Sequence, residues 1–224
     1  LPEAGERLLP ELGEDLAAKL LAELEPATGA AVLTRLEPDR REAYLARLSK
    51  ATANELRRLV DYPADAAGAL MDPRPAVFRG DQTADEALQA LRSRRRGAVR
   101  LVFLVDDSNR LRAAVDIQEL ALADAGRVLE ELARPLSVTV NALDPREVVT
   151  DILEQHRLEE LAVVDIHHRL VGVIHARALM RALQVETSAD LQTMVGVSKD
   201  ERVLSPVAFA VRKRLPWMQI NLVT

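Results

Sequence analysis

The 224-residue sequence predicts an α+β fold in three parts: an N-terminal superhelical domain of short helices, a tandem pair of α+β repeats, and a C-terminal connecting helix. Short Leu/Ala-rich stretches closed by proline predict the first part. Two copies of one unit, residues 101–120 and 160–179, predict the second, because an internal repeat indicates one supersecondary unit built twice. Mixed helices and short strands of this kind favour α+β units over a long parallel sheet.

The first 62 residues are predicted to form the helical domain. Leu9-Pro10, Leu24-Glu25-Pro26 and Leu36-Glu37-Pro38 each end a short apolar stretch. Proline is favoured in the first turn of a helix and ends the helix before it. The pattern therefore predicts helices at about 6–24, 27–35, 39–49 and 52–60.

A linker, residues 61–75, separates the helical domain from the repeats. It contains Pro63, Gly68, Pro73 and Pro75, a density of helix-breaking residues that is typical of a domain boundary. A short helix at about 64–71 is predicted inside it.

The two repeats align 59 positions apart, with Val105-Asp106 on Val164-Asp165 and Arg110-Leu111 on Arg169-Leu170. In each copy two short apolar strands flank a polar turn, which indicates a hairpin. The first repeat, residues 63–127, is predicted as strand 76–79, helix 83–93, strands 101–105 and 111–115, and helix 116–123. The second, residues 128–187, is predicted as strand 137–140, helix 144–156, strands 160–164 and 170–174, and helix 175–184.

Composition excludes several functions. The net charge of −5 argues against nucleic-acid binding, which requires a basic face, and the absence of cysteine excludes disulfides and thiolate metal sites. The nine glycines do not cluster, and the sequence contains no phosphate-binding loop and no nucleophile with its base. We therefore predict that the protein is not an enzyme.

Residues 188–224 are predicted to form the connecting helix and the start of a first transmembrane segment. Arg212-Lys213-Arg214, then Trp217, then an apolar run is the order expected at a cytoplasmic membrane boundary. The apolar run is about half the length that a spanning helix needs, so it could supply only the first turns of one. The alternative is an ordinary apolar C-terminal strand or helix.

The order of these features resembles the cytosolic region of the MgtE family of magnesium channels. The specific elements are Tyr62-Pro63-x-Asp65-x-Ala67-Gly68-x-Leu70-Met71 and Arg214-Leu215-Pro216-Trp217 with Asn221-Leu222. The resemblance implies a shortened N domain, a pair of CBS repeats and a connecting "plug" helix at about 188–214. It also implies a homodimer through the CBS repeats, a membrane pore domain as partner, and a position at the cytoplasmic face of the bacterial inner membrane, with this fragment itself soluble.

The same resemblance implies Mg²⁺ as the ligand, sensed between acidic surfaces. The acids at matching positions are Asp65, Glu147, Glu186 and Asp190. Other positions where the family carries acids hold Arg157, Arg177, Ala178, Arg181 and the Ile166-His167-His168 turn, which implies a weaker or altered magnesium response. For each remaining acid the alternative is a solvated surface carboxylate.

An adenine nucleotide is the other common ligand of CBS pairs, and the sequence argues against it. Glu119 can accept a hydrogen bond from a ribose hydroxyl, but Asp116 would place an anion near the phosphate and Ala178 lacks an acceptor. The four histidines are expected in solvated positions, with no ligand spacing typical of zinc. Two alternatives stay open: a free soluble CBS-pair regulatory protein that binds an adenine nucleotide or a protein partner, and a helical scaffold whose CBS units serve only for dimerisation.

Overall fold

The computed structural model describes residues 5, 8–93 and 99–180. The helical domain and both repeats belong to one compact unit, Leu1–Arg177. The predicted connecting helix and transmembrane start, residues 188–224, lie outside the described residues. Within the described ranges, no helix combines the length and the apolar character that crossing a bilayer requires.

The helical domain consists of a 3-10 turn and four short helices. Proline occupies the first turn of two of them, α2 and α3, as the sequence predicts. Helix α1 packs on α3 and α2 packs on α4, an alternation typical of a helical superhelix. The elements are Leu9–Glu11 (3-10), Glu14–Glu23 (α1), Pro26–Thr34 (α2), Pro38–Arg47 (α3) and Lys50–Val60 (α4).

The prediction of one helix over residues 6–24 is wrong. Leu12 and Gly13 adopt extended backbone conformations, so the 3-10 turn that contains Pro10 ends before α1 begins. Proline cannot continue a helical hydrogen-bond ladder, and glycine is a poor helix former, so the break has a local cause.

Two polar side chains connect the helices of this domain. The buried Tyr44 hydroxyl donates to the carbonyl of Leu9 at 3.1 Å, joining α3 to the 3-10 turn. The Arg41 guanidinium donates to the carbonyls of Leu33 at 2.9 Å and Leu36 at 3.2 Å, which lie at and beyond the end of α2. The Leu33 carbonyl also accepts the Leu36 N–H at 3.2 Å, so Arg41 adds a side-chain bond from α3 to the C-terminal end of α2.

Each repeat is a three-stranded sheet with a parallel and an antiparallel pair. In the first repeat β1 runs parallel to β2 and β2 antiparallel to β3; in the second, β4, β5 and β6 repeat this order. The elements in chain order are Ala67–Leu70 (α5), Val77–Phe78 (β1), Ala84–Ser93 (α6), Leu101–Val105 (β2), Leu111–Asp116 (β3), Ile117–Leu122 (α7), Leu129–Leu132 (α8), Val140–Asn141 (β4), Arg146–His156 (α9), Glu160–Val164 (β5) and Leu170–His175 (β6).

The hairpins reproduce the 59-residue offset of the sequence repeat. Leu101 pairs with Asp116 in the first, Glu160 pairs with His175 in the second, and both ladders shift register before their last pair. Strands β1 and β4 are shorter than predicted, with two paired residues each. Helix α8 was not predicted, because its single turn depends on distant backbone contacts, Leu129 N–H to the Gln82 carbonyl at 2.9 Å among them.

The two sheets share an apolar cluster in which equivalent positions of the repeats meet. It contains Phe103, Ala114, Ala162, Leu170 and Val173. Phe103 is equivalent to Ala162, and Ala114 to Val173, so a large residue on one copy corresponds to a small one on the other. This complementarity lets the sheets approach at the packing density of a protein interior.

The two hairpin turns also contact each other. The Leu111 N–H donates to the His168 carbonyl and the Leu170 N–H donates to the Asn109 carbonyl, both at 3.1 Å. Asn109 and His168 have φ of 60° and 61°, the left-handed conformation that asparagine and histidine tolerate better than most residues. The turns therefore join the repeats at one edge.

The linker binds to the second repeat. Its Ala67 N–H donates to the Asp144 carbonyl, and its Gly68 N–H donates to the Ala142 carbonyl, both at 2.8 Å. Further along, Asp72 pairs with Val173 of β6 through bonds of 2.8 and 2.9 Å. The segment that leads from the helical domain into the first repeat is thus held by the second.

Two glycines permit this close approach. A Cβ on Gly68 would lie 2.5 Å from the Tyr62 ring, and a Cβ on Gly172 would lie 2.8 Å from the Asp72 carbonyl oxygen. These are closer than van der Waals contact, so either side chain would force the linker away.

We expect Gly68→Ala to lower the free energy of unfolding by about 1–3 kcal/mol, because the added methyl overpacks the Tyr62 ring. Urea unfolding measures this. Gly126→Ala is the matched control: no atom lies within 4 Å of its added Cβ, so a change of no more than about 0.5 kcal/mol is expected. Equal stability of the two variants would contradict the packing described here.

Candidate functional site

Two of the predicted metal-binding acids lie on neighbouring segments. The N–H of Arg146 donates to the carbonyl of Asp65 at 2.7 Å, which brings the linker against the first turn of α9, where Glu147 lies. Both carboxylate-bearing residues are exposed. The backbone bond therefore places one predicted ligand on each of two adjoining segments.

Asp65 and Glu147 are not part of a closed metal cage in the described part of the chain. Within residues 5, 8–93 and 99–180, no three His, Cys, Asp or Glu side chains group as a metal cluster. Magnesium commonly binds through one or two carboxylates and keeps several waters. The other two predicted ligands, Glu186 and Asp190, lie outside the described residues.

Cations lie where the family resemblance would place acids. Arg157 ends α9 in a left-handed conformation, with φ of 51°. Arg177 is exposed in the helical stretch that follows β6. A cation in either place repels Mg²⁺ rather than binding it.

Glu119, the candidate ribose ligand, forms an ion pair with Arg134. The pair lines an open cavity of about 440 Å³ that also includes Leu122, Arg127 and Leu132. Asp116 accepts a hydrogen bond from the Gln118 N–H at 2.7 Å and so caps α7. The carboxylate of Glu119 therefore already has a partner, and the start of α7 carries an anion.

The two hairpin turns each contain an aspartate whose negative charge is stabilised. Asp106 accepts from the backbone N–H groups of Arg110 and Ser108, both at 2.9 Å, and from the Arg112 guanidinium, so its pKa lies below the ordinary range. For Asp165, partial burial raises the pKa, but the Arg169 and His167 N–H groups outweigh it and the net shift is downward.

The ion pair of Glu160 and His175 was not identified from the sequence. Glu160 is only 7% exposed, and its carboxylate lies 3.2 Å from Nδ1 of His175. It also accepts the backbone N–H groups of Arg100 at 3.2 Å and Leu101 at 3.0 Å, which belong to the first repeat. The alignment of the two repeats could have indicated this pair, because Glu160 and His175 occupy the positions that hold Leu101 and Asp116 in the first copy.

An ion pair also joins the linker to the helical domain. Nε of Arg74 lies 2.7 Å from the Glu55 carboxylate on α4. Together with the Asp72–Val173 pairing, it gives the short segment 72–74 contacts to both the helical domain and the second repeat.

Comparison with known families agrees with this architecture. The model of the MgtE intracellular N domain matches residues 2–65, and the CBS domain model matches residues 67–126 and 129–185. Both are regulatory rather than catalytic domains, in agreement with the prediction that the chain is not an enzyme.

The sequence relatives of the chain include magnesium transporters named MgtE. The magnesium transporter MgtE of Thermus thermophilus is 29% identical over 182 residues, which cover 79% of this chain and 40% of the relative. The magnesium transporter MgtE of Enterococcus faecalis is 25% identical over 168 residues, covering 74% and 37%. The chain therefore spans about two fifths of the length of the curated relatives it matches.

Solved structures share the fold. The cytosolic domain of the Mg²⁺ channel MgtE in complex with ATP superimposes with a TM-score of 0.76 at 26% identity, covering 81% of this chain and 75% of that one. The soluble part of a magnesium transporter gives a TM-score of 0.75 at 22% identity, covering 82% and 73%. The latter supports the fold alone.

We expect the double substitution Asp106→Asn, Asp165→Asn to destabilise the protein more at neutral pH than at pH 3. The folded-state pKa of each aspartate is depressed, so its contribution is present above the ordinary aspartate pKa of about 3.9 and is lost as pH falls through the folded value. Urea unfolding at both pH values measures this. Asp151→Asn, on an exposed aspartate of α9, is the control for loss of one charge and should change the free energy of unfolding by no more than about 0.5 kcal/mol. A destabilisation by the double variant that is as large at pH 3 as at neutral pH would contradict the assignment.

Proposed function

Because the chain belongs to the MgtE family and carries its intracellular N domain and CBS pair, we propose that it is the magnesium-sensing regulatory module of a magnesium transporter. In this proposal Mg²⁺ favours docking of the helical domain on the CBS pair, and the docked arrangement closes a membrane pore. The names of the sequence relatives support magnesium as the ion. The path of the linker, which contacts both the helical domain and the second repeat, supports docking between them.

The linker is the observation that carries the proposal. It leaves α4, pairs through its backbone with the second repeat, and only then enters the first. A shift of the helical domain must therefore move or break contacts at Asp144 and Val173. Such a segment can transmit a movement caused by an ion-dependent contact to both repeats.

Charge explains how magnesium would act. Asp65 and Glu147 lie on neighbouring segments, and in this proposal the repulsion between their carboxylates opposes close docking. A hydrated dication between them removes that repulsion. The ion shifts the equilibrium only by the difference between its affinities for the docked and undocked states, so the Arg157 and Arg177 cations imply a modest shift.

The proposal also covers the partners of the chain, its location and the residues outside the described ranges. We infer a homodimer through the CBS repeats, a pore domain of the same parent protein as partner, and a position beneath the bacterial inner membrane. Residues 188–214 would form the connecting helix, with Glu186 and Asp190 just before and within it as further acids. The basic cluster Arg212–Arg214 and Trp217 support its approach to the membrane.

One observation favours a second candidate, an adenine-nucleotide sensor: a related cytosolic domain at 26% identity was solved with ATP. Against it stand the Glu119–Arg134 ion pair and the Asp116 carboxylate at the start of α7. Magnesium remains the preferred ligand because the sequence relatives are magnesium transporters, whereas the candidate ribose ligand Glu119 already has an ion-pair partner.

We expect magnesium to protect the linker from proteolysis. At ten times its dissociation constant, a ligand that binds only the docked state should slow cleavage within residues 61–75 by about tenfold. Asp65→Asn with Glu147→Gln should reduce that protection. Mass spectrometry of the fragments locates and times the cleavage.

Glu154→Gln, an exposed acid farther along α9, is the control and should leave protection unchanged. Protection by ATP in the presence of EDTA, with none by magnesium, would contradict the magnesium proposal and support the nucleotide sensor. Equal protection in the double variant would contradict the assignment of Asp65 and Glu147.

We expect light scattering to give twice the 24.7 kDa mass of one chain. Leu122 and Leu143, one on each CBS repeat, are 88% and 62% exposed and are the positions at which we test contact with a second copy. Leu122→Asp with Leu143→Asp should shift the population to monomer, whereas Leu16→Asp, on the exposed face of α1, should not. A monomer of the unmodified chain at high concentration would contradict the dimer.

A further inference from the structure

The end of the linker is attached to both the second repeat and the helical domain. Asp72 and Val173 of β6 exchange backbone hydrogen bonds of 2.8 and 2.9 Å. Two residues later, Nε and Nη2 of Arg74 both donate to one carboxylate oxygen of Glu55 on α4, with the Nε bond at 2.7 Å. A single residue, Pro73, therefore separates the two attachments.

The backbone between the two attachments has little conformational freedom. Asp72 and Arg74 each precede a proline, which disfavours helical conformations at both residues, and each proline has a fixed φ. The Asp72 carboxylate also accepts the Arg74 N–H at 2.9 Å, which adds a bond across Pro73. The Arg74 guanidinium is thus presented from a restricted segment, so less conformational entropy is lost when it pairs with Glu55.

Partial burial sets the Arg74–Glu55 ion pair apart from the Arg57–Glu42 ion pair, which joins α3 to α4. The Arg74 and Glu55 side chains are 36% and 26% exposed, whereas those of Arg57 and Glu42 are 44% and 59% exposed. Water and salt screen a partly buried pair less than an exposed one. The Arg74–Glu55 pair is therefore expected to contribute more to holding its two segments together.

The position of this ion pair decides what must break when the helical domain moves. Arg74 is held to the second repeat through Asp72. It is held to the first repeat because the Phe103 N–H of β2 donates to the Ala76 carbonyl at 2.7 Å, two residues beyond Arg74. Glu55 belongs to α4 of the helical domain, so α4 cannot leave the CBS pair without separating Glu55 from Arg74.

We propose that the Arg74–Glu55 ion pair holds the helical domain against the CBS pair without any metal ion. This inference deepens the proposed function: it rests on docking of the helical domain but not on magnesium. Arg74 and Glu55 are positioning residues, because they act by fixing α4 beside the end of the linker. Their ion pair supplies a constant part of the docking free energy, to which the binding of magnesium adds.

Exchange of the two charges tests this role in the whole chain with EDTA present. Because the chain contains no cysteine, spin labels at Arg40→Cys on α3 and Asp151→Cys on α9, both exposed positions, report the distance between the helical domain and the second repeat by pulsed EPR. We expect one main distance in the labelled parent chain. The population at other distances should increase about threefold in Glu55→Arg and in Arg74→Glu.

Combining Glu55→Arg with Arg74→Glu restores opposite charges and should return the distance distribution to that of the parent chain. Glu55→Gln, which removes one charge without adding repulsion, should give a smaller increase than Glu55→Arg. Glu42→Arg is the matched control, because it breaks an ion pair that lies wholly within the helical domain, and it should leave the distribution unchanged. Single exchanges without effect, or a double exchange that restores nothing, would overturn the proposal.

Magnesium distinguishes this inference from the proposed function. Replacing EDTA by magnesium in the labelled parent chain should reduce the population at other distances if the proposed function is right. No effect of magnesium would contradict the proposed function and leave the role of the ion pair standing. Unchanged distributions of the single exchanges in EDTA would contradict that role and leave the magnesium response standing.

Discussion

The structure depends on the close approach of the linker to the second repeat. Asp72 and Val173 exchange backbone hydrogen bonds at 2.8 and 2.9 Å, and Gly172 beside them leaves room for the buried Met71 side chain. These bonds extend the sheet of the second repeat by one residue pair. They tie the helical domain to the repeat that lies farther along the chain, so the helical domain and the CBS pair belong to one compact unit.

The two repeats have nearly the same hairpin structure but differ at the first pair of the strand ladder. The hairpins share register, turn geometry and the apolar cluster around Phe103. At the first ladder pair, the first copy has Leu101 and Asp116, whereas the second has Glu160 and His175. The polar pair lies on the copy that binds the linker, and Glu160 also accepts backbone N–H groups of the first copy.

Cations of the chain itself already pair with acids near the linker. Arg74 bridges the linker to α4 through Glu55, and His175 pairs with the buried Glu160. Intramolecular cations of this kind reduce the repulsion that a bound dication would otherwise relieve. Docking in this chain is therefore expected to combine a built-in component with an ion-dependent one, and only the second responds to magnesium concentration.

The sequence by itself determined the α+β class, the 59-residue repeat, both hairpins and the proline-started helices, because turn chemistry and apolar periodicity act between neighbouring residues. It placed Asp65 and Glu147 among the candidate ligands through family resemblance. Only the tertiary structure decided that the linker pairs with the second repeat, that Glu119 pairs with Arg134, and that Glu160 is buried beside His175. Each of these contacts joins residues at least 15 positions apart, and neither local propensity nor the hydrophobic pattern specifies which distant group a side chain meets.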